Sequence, residues 1–290
     1  MIRASTILRR VLKTAAAVGG LLSVPRRPGV AILAYHRVGG GTDQELDVPT
    51  ARFASHMRYL REHCSVVSLD ELLAAPQGSG SERDVVAVTF DDGYEDVYLH
   101  AFPILQEYEI PATVYVSTAF VDAGRPFPWS GDTARPLNWG QLAEMKDSGL
   151  VTIGAHTHSH APLGKLRREL IAEELRMSAE LIEKRLGSAP AHFSYPMPSR
   201  EVDGPSLEVA RDLVEARYAT VAVEGFRKNY LPLSLHRLTR IPVQGSDTFL
   251  LFRLGLGGYL APMGSLQPLF RRLRAAFRSS PGRGAAGPIE

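Results

Sequence analysis

Cysteine is nearly absent from this sequence, which contains a single one, Cys64. One thiol cannot form an internal disulfide bond, and it cannot supply the several cysteine ligands of a cysteine-based zinc site. Both kinds of cysteine-dependent scaffold are therefore excluded.

A large charge excess and a long apolar run are also lacking. The formal net charge is +2, so the chain as a whole lacks the strong basic excess of a nucleic-acid-binding protein. Within residues 1–29, basic side chains precede a weak apolar run that contains Gly19 and Gly20 and is too short to span a bilayer. We interpret residues 1–29 as a basic leader, with a signal peptide, an interfacial helix and a disordered segment as open alternatives.

Residues 261–290 also differ from the middle of the chain. Between Pro268 and Arg278, leucine and phenylalanine side chains are interspersed with arginines, which predicts a basic amphipathic helix. Such a helix contacts a membrane surface or a partner, or it packs on the domain with a solvated basic face. From Ser279 onward the sequence is rich in glycine, proline and alanine and is predicted to be a disordered tail.

The middle of the chain, residues 30–260, has the size and pattern of one α/β domain. The whole chain has 290 residues, 44% of them hydrophobic, which is enough for one barrel-sized core. Apolar strand patterns alternate with helical patterns from Val30 to Val243, which predicts an α/β barrel.

The segment Val85–Tyr94, VVAVTFDDGY, contains the first candidate site. Its β-branched and apolar run has no polar alternation, as in a strand that is buried on both faces. The run ends in Asp91 and Asp92, and Gly93 follows them. Adjacent carboxylates repel each other and are costly to desolvate, but ligands bind at the carboxyl ends of such strands. A simple Asp-Gly turn is the alternative interpretation.

A histidine cluster follows a second short strand, within VTIGAHTHSHAPL at Val151–Leu163. His156 and His160 are four residues apart, so one helical turn would bring both rings to the same side. Two histidines and one carboxylate leave open positions for water and substrate, which is typical of catalytic rather than structural metal sites. A solvated histidine-rich loop is the alternative, and His158 need not bind metal.

These motifs resemble those of the polysaccharide deacetylases, the NodB-like carbohydrate esterases. The sequences TFDDGY at Thr89–Tyr94 and HTHSH at His156–His160 are similar to the first two family motifs, and FSYPMP at Phe193–Pro198 to a third. LAYHRVG, which contains His36, resembles a permuted branch that includes the poly-N-acetylglucosamine deacetylases. The resemblance implies a distorted (β/α) barrel of about seven strands, one divalent metal ion and hydrolysis of N-acetyl groups on amino-sugar polymers.

The resemblance also implies roles for individual residues. Asp92, His156 and His160 would bind the metal, which we expect to be Zn²⁺, and Asp91 would act as the general base. His36 would protonate the leaving amine. Two further residues, Tyr195 and Pro196, would line the substrate site, with a backbone N–H near Tyr195 holding the oxyanion.

Three residues have alternative interpretations. His236, next to the last predicted strand, is the alternative acid. Arg240 could hold Asp91 ionised, as an arginine does in the family. Trp129, in a Gly- and Pro-rich loop, either stacks on a sugar or anchors the loop.

Met197 and Pro198 depart from the family pattern, which puts the shape of the sugar subsite in doubt.

The expected partner is an N-acetylated glycan, without nucleic acid and with peripheral membrane contact through the basic termini. We expect a bacterial protein at the cell envelope or membrane, with the cytoplasm as the alternative. Other functions are also open. The same site could cleave another non-peptide C–N bond, in a cyclic imide or a small amide, or the chain could be a non-catalytic glycan-binding relic.

Overall fold

The apolar segments pair into one parallel sheet. The computed structural model describes residues 4–23, 27–42, 45–74, 84–130, 134–196 and 205–264. The strands are β1 Val30–Tyr35, β2 Arg37–Val38, β3 Asp47–Val48, β4 Ser65–Val66, β5 Val85–Phe90, β6 Ala112–Val116, β7 Val151–Ala155, β8 His192–Ser194, β9 Thr220–Glu224 and β10 Leu238–Pro242. The α-helices are α1 Ala4–Ser23, α2 Thr50–His63, α3 Leu69–Ala74, α4 Phe102–Tyr108, α5 Thr118–Ala123, α6 Trp139–Asp147, α7 Arg168–Leu186, α8 Pro205–Glu215 and α9 Phe249–Leu256.

Seven of these strands close into a barrel in the order β1, β5, β6, β7, β8, β9 and β10. Closure occurs at β1, which pairs in parallel with β5 on one side and with β10 on the other. The short β4 adds to the start of β5, while β2 and β3 form a separate pair. The expected α/β barrel of about seven strands is therefore confirmed.

Strand alternation divides the side chains between two environments. A small apolar cluster contains Ile32, Ala87 and Leu238, together with Leu69 and Leu72 of α3. The larger cluster contains their strand neighbours, such as Ala31 and Leu33, and the helices that surround the barrel. Because side chains two residues apart share a face, Thr89 and Asp91 follow Ala87 on the inward face of β5, and Arg240 follows Leu238 on β10. The barrel interior is thus apolar near α3 and polar at its carboxyl end.

Local sequence signals account for most element boundaries. The β5 strand has the bounds that its apolar run predicts, and α3 begins directly after its N-cap, Ser68. The Ser68 hydroxyl accepts a hydrogen bond from the Glu71 amide at 3.0 Å, and the Glu71 carboxylate accepts one from the Ser68 amide. The helix that follows Tyr94 begins with a π-helical turn over Val97–Ala101 and continues as α4. The predicted helix at 268–278 and the tail beyond it lie outside the described residues.

Most of the proposed leader, residues 4–23, is the helix α1, which packs against α9. Its buried Lys13 ammonium lies 2.7 Å from the carboxylate of Asp247, in the segment between β10 and α9. Ala16 and Ala17 are also buried on this face, and the Gly20 backbone lies against Tyr259. Within the described part of the chain, no helix combines the length and the apolar character that a membrane span requires.

The two adjacent glycines of α1 give a matched test of this packing. A Cβ at position 20 would lie 2.0 Å from the carbonyl oxygen of Tyr259, whereas a Cβ at position 19 would meet nothing within 4 Å. Alanine improves helix propensity at both positions by up to about 1 kcal/mol. We expect Gly20→Ala to lower the free energy of unfolding by about 1–3 kcal/mol, and Gly19→Ala to leave it unchanged or raised. Urea unfolding of both variants measures the difference, and equal stabilities would contradict the packing.

Candidate active site

The first element of the site is a buried ion pair inside the barrel. Arg240 on β10 donates from both terminal guanidinium nitrogens to the two carboxylate oxygens of Asp91, at 2.6 and 2.7 Å. Burial raises the pKa of Asp91, but the Arg240 guanidinium, together with His156 and His36, holds that pKa below its ordinary value. Asp91 is therefore an ionised carboxylate whose orientation is fixed by two hydrogen bonds.

The second element is a cluster formed by Asp92, His156 and His160. The Asp92 Oδ1 atom lies 3.4 Å from His156 Nε2 and 3.2 Å from His160 Nε2, and the three ligand atoms lie within 4.8 Å of one another. Burial would raise the pKa of Asp92, yet the two imidazoles beside it hold that pKa well below its ordinary value. The three residues that the sequence motifs single out as metal ligands are thus brought together.

The backbone at these residues is strained. Asp92 has a φ of 72° and His160 one of 61°, and Thr157 between the two histidines has a φ of 62°. Residues other than glycine rarely adopt this left-handed conformation, which costs on the order of 1–3 kcal/mol each and is concentrated at functional sites. The fold therefore imposes these conformations on two of the three clustered residues.

Two polar residues outside the motifs hold this backbone in place. Ser117, directly after β6, donates its amide to the Asp92 carbonyl at 3.3 Å and its hydroxyl to the His156 carbonyl at 3.1 Å. Glu174 on α7 accepts hydrogen bonds from the amides of His158 and Ser159. The Glu174 carboxylate therefore binds the histidine loop and is not part of a solvated helix face.

Ser194, at the end of β8, connects the two elements of the site. Its carbonyl oxygen lies 2.8 Å from His156 Nδ1, and its hydroxyl accepts a hydrogen bond from Arg240 at 2.7 Å. The carbonyl contact places the proton of His156 on Nδ1, which leaves the Nε2 lone pair directed toward Asp92 and His160. Ser194 thus sets the tautomer of one imidazole and the position of the guanidinium.

His36 lies beside the ion pair, at the carboxyl end of β1. Its Nε2 atom is 3.9 Å from Asp91 Oδ2, and its side chain is 22% exposed. Burial lowers the pKa of His36 below its ordinary value, although the Asp91 carboxylate acts in the opposite direction. His36 is therefore an imidazole that reaches both Asp91 and solvent.

Trp129 packs directly on the histidine cluster. Its ring stacks on the His160 imidazole, with ring centroids 4.0 Å apart and an angle of 22° between the planes. Its indole N–H donates to the hydroxyl of Tyr94 at 3.1 Å, and 37% of its surface remains exposed. Trp129 is thus an anchor that orients His160, and its exposed surface lies next to the cluster.

The structure does not bring every predicted site residue into the same contact network. Pro196 is buried and Tyr195 half-buried after β8, where the Tyr195 amide donates to the Ala222 carbonyl at a long 3.4 Å. His236 precedes β10 and therefore lies at the amino end of the barrel, where it faces Glu215 at 3.7 Å. Because the cluster lies at the opposite end, His236 is not brought to the site as the alternative acid. Met197 and Pro198 lie outside the described residues.

Comparisons with known proteins identify sequences that are similar to this chain. Residues 78–214 match the family described as polysaccharide deacetylase. The poly-β-1,6-N-acetyl-D-glucosamine N-deacetylase of Staphylococcus aureus is 26% identical over 158 residues, which are 51% of this chain and 53% of that protein. YxkH of Bacillus subtilis, itself a candidate polysaccharide deacetylase, is 27% identical over 57% of this chain and 56% of its own length. The chain spans about half the length of these curated relatives.

The similarity to solved structures covers more of the chain. The structure of IcaB from Ammonifex degensii superposes with a TM-score of 0.66 at 26% identity, over 81% of this chain and 99% of that one. The Streptococcus pyogenes deacetylase PplD, solved in complex with acetate, shares the fold at 22% identity with a TM-score of 0.62. Residues 78–214 are therefore similar to polysaccharide deacetylases, and the chain shares its fold with the NodB-like deacetylases.

Proposed function

We propose that this chain is a metal-dependent hydrolase that removes N-acetyl groups from an amino-sugar polysaccharide. The observation that carries the proposal is the division of labour between adjacent carboxylates. Asp92 joins His156 and His160, whereas Asp91 is held away from them by Arg240. Two buried carboxylates with different partners do not stabilise a strand end. Metal-dependent hydrolysis, however, requires one carboxylate to bind the metal and another to accept a proton.

Asp92, His156 and His160 would hold one divalent ion, and we propose Zn²⁺. Donor atoms about 2.1 Å from a common tetrahedral ion lie about 3.4 Å apart, which fits the observed separations of 3.4 and 3.2 Å. A bound ion of this kind lowers the pKa of a water molecule and polarises a carbonyl oxygen. The Ser194 carbonyl on His156 Nδ1 supplies the outer contact that usually orients a metal-binding histidine.

Asp91 would act as the general base. Its ion pair with Arg240 keeps it ionised and keeps both carboxylate oxygens in fixed positions inside the barrel. An ionised carboxylate can accept a proton from the attacking water as that water adds to the acetyl carbon. Arg240 would therefore be a positioning residue that acts through Asp91.

His36 would supply the proton that the leaving amine needs when the tetrahedral intermediate collapses. An amine is a poor leaving group unless it is protonated, so an acid must lie near the base and be able to reach the substrate. His36 meets both conditions, since its Nε2 lies 3.9 Å from Asp91 and its side chain is partly exposed. His236 meets neither condition, because it precedes β10 at the other end of the barrel.

We propose an N-acetylglucosamine polymer as the substrate class. Support comes from the Staphylococcus aureus relative, whose name specifies a poly-β-1,6-linked N-acetylglucosamine, and from the exposed surface of Trp129 beside His160. Tyr195 and Pro196, which follow β8 at the carboxyl end of the barrel, would line the same groove. We also propose that a backbone N–H near Tyr195 holds the oxyanion.

Acetate release is the direct test of this function. The purified chain is incubated with β-1,6- and β-1,4-linked N-acetylglucosamine oligomers, with small N-acetyl amides and with a cyclic imide, each with and without a chelator. Opening of the imide ring releases no acetate and is therefore followed separately. We expect chelator-sensitive acetate release from an oligomer. Turnover of only the imide or the small amides would establish the alternative C–N hydrolase, and inactivity of the metal-loaded chain on every substrate would contradict the proposal.

The metal assignment has a matched pair of variants in the histidine loop. His160→Ala removes a proposed ligand, so we expect loss of stoichiometric metal and of activity. His158→Ala removes an imidazole that contacts the Thr118 hydroxyl at 2.9 Å, outside the cluster, and should affect neither. Elemental analysis after dialysis measures the metal content. A full complement of metal in the His160 variant would exclude the assigned ligand set.

The general base is tested by Asp91→Asn, which keeps the shape of the side chain but cannot accept the water proton. We expect turnover to fall by about 10²–10⁴-fold, with metal content retained. Asp91→Asn also deprives Arg240 of its ionic partner. Asp247→Asn is therefore the matched control, because it breaks another buried ion pair that includes none of the proposed site residues. Rates of both variants are compared well below their unfolding temperatures. A wild-type rate for Asp91→Asn would exclude it as the base.

The acid is tested by the pH dependence of kcat/KM. An acid must be protonated in the free enzyme, so activity should fall as pH rises through the pKa of His36. His36→Gln should depress the rate and flatten this alkaline limb without loss of metal. His236→Gln is the control and should keep the limb in place. A profile that changes in the His236 variant and not in the His36 variant would contradict the assignment.

A further inference from the structure

One side of α1 exposes a continuous apolar stripe. Five aliphatic side chains are at least half exposed and fall within about 100° of arc on the helix, at about 100° per residue. These residues, which we call the α1 outer face, are Ile7 (53%), Val11 (57%), Val18 (52%), Leu21 (50%) and Leu22 (86%). The other exposed positions of the same helix, such as Thr14 and Ala15, are uncharged. The stripe therefore runs almost the whole length of the helix.

The opposite side of α1 fixes this orientation. Lys13, Ala16, Ala17 and Gly20 are turned toward the rest of the domain, and the buried Lys13 is paired with Asp247. Rotating the helix to bury the outer face would place the Lys13 ammonium in solvent and leave the Asp247 carboxylate buried and unpaired, which is strongly unfavourable. The buried ion pair between Lys13 and Asp247 therefore keeps the α1 outer face exposed to solvent.

The charge distribution of the chain favours a negatively charged partner for this face. Residues 1–29 contain six basic side chains and no acidic one, and residues 265–290 contain five basic side chains and one acidic one. The intervening residues have the opposite balance, with 22 basic and 30 acidic side chains. The exposed Arg27 lies four residues after the end of α1. An apolar helix face in a basic stretch of sequence is typical of helices that lie in the interface of an anionic bilayer.

We propose that the α1 outer face binds an anionic phospholipid surface, with the helix lying in the plane of the membrane. The amino-terminal half of α1 contacts the segment that follows β10, since the Arg10 guanidinium donates to the Ser246 carbonyl at 3.0 Å. That segment lies at the carboxyl end of the barrel, where Asp91 and the histidine cluster also lie. Binding along α1 would therefore hold the site close to the lipid surface. The inference does not depend on the proposed reaction.

Vesicle flotation of the purified full chain tests the proposal. The probes are vesicles of phosphatidylcholine alone and vesicles that also contain phosphatidylglycerol. We expect flotation with the anionic vesicles, weaker with the neutral ones and weakened by salt. The double variant Val11→Ser with Val18→Ser should bind about tenfold more weakly, because two half-exposed valines no longer enter the lipid. The matched control, Leu99→Ser with Leu170→Ser, removes exposed leucines elsewhere and should bind as the wild type does.

Two further measurements test whether the variants are folded and whether the chain is a monomer. Circular dichroism verifies the fold of each variant, and Leu22→Ser, at the most exposed position, replaces the double variant if that one unfolds. Sedimentation without lipid determines the oligomeric state. Absence of flotation, or equal flotation of the α1 and control variants, would overturn the proposal. A wild-type dimer that the α1 substitutions dissociate would also overturn it, since the outer face would then bind a second copy of the chain.

Discussion

The buried ion pair between Asp91 and Arg240 is the interaction on which the rest of the site depends. Both groups point into the barrel, where an unpaired charge costs several kcal/mol, so the barrel can hold either group only with the other. Because this contact occupies both oxygens of Asp91, it leaves the carboxylate of Asp92 available for another role. With Asp91 held by the guanidinium, Asp92 alone turns toward the two histidines. The proposed separation of base and metal ligand is therefore a consequence of strand alternation and one arginine.

The carboxyl end of the barrel gathers these groups because every barrel strand is parallel to its neighbours. Asp91 and Asp92 follow β5, Ser117 follows β6, and His156 follows β7. Positions that are far apart in sequence therefore meet at one edge without a long loop to guide them. The strained backbone at Asp92 and in the histidine loop is supported there by hydrogen bonds from Ser117 and to Glu174 on α7, which gives the side chains a fixed geometry before any ligand binds.

The sequence predicted those parts of the fold and site that leave a local pattern. The run Val85–Phe90 could only be a buried strand, and carboxylates directly after it had to lie at its carboxyl end. The contact of Ser194 with both His156 and Arg240 depends on the register of β8 and has no local signal. The position of His236 did have a local signal in the sequence, because a residue that precedes a barrel strand lies at the amino end of the barrel. The docking of α1 could not be predicted, because Lys13 and Asp247 are far apart in sequence and identifiable as partners only after folding.

Diffraction at the zinc absorption edge from crystals grown with Zn²⁺ tests the central claim most directly. The account predicts one anomalous peak about 2.0–2.2 Å from Asp92 Oδ1 and from the Nε2 atoms of His156 and His160. It also predicts that both oxygens of Asp91 remain on Arg240, outside the coordination sphere. A peak coordinated by Asp91, or a fully occupied ion elsewhere with none at this cluster, would contradict the division of roles between the two carboxylates.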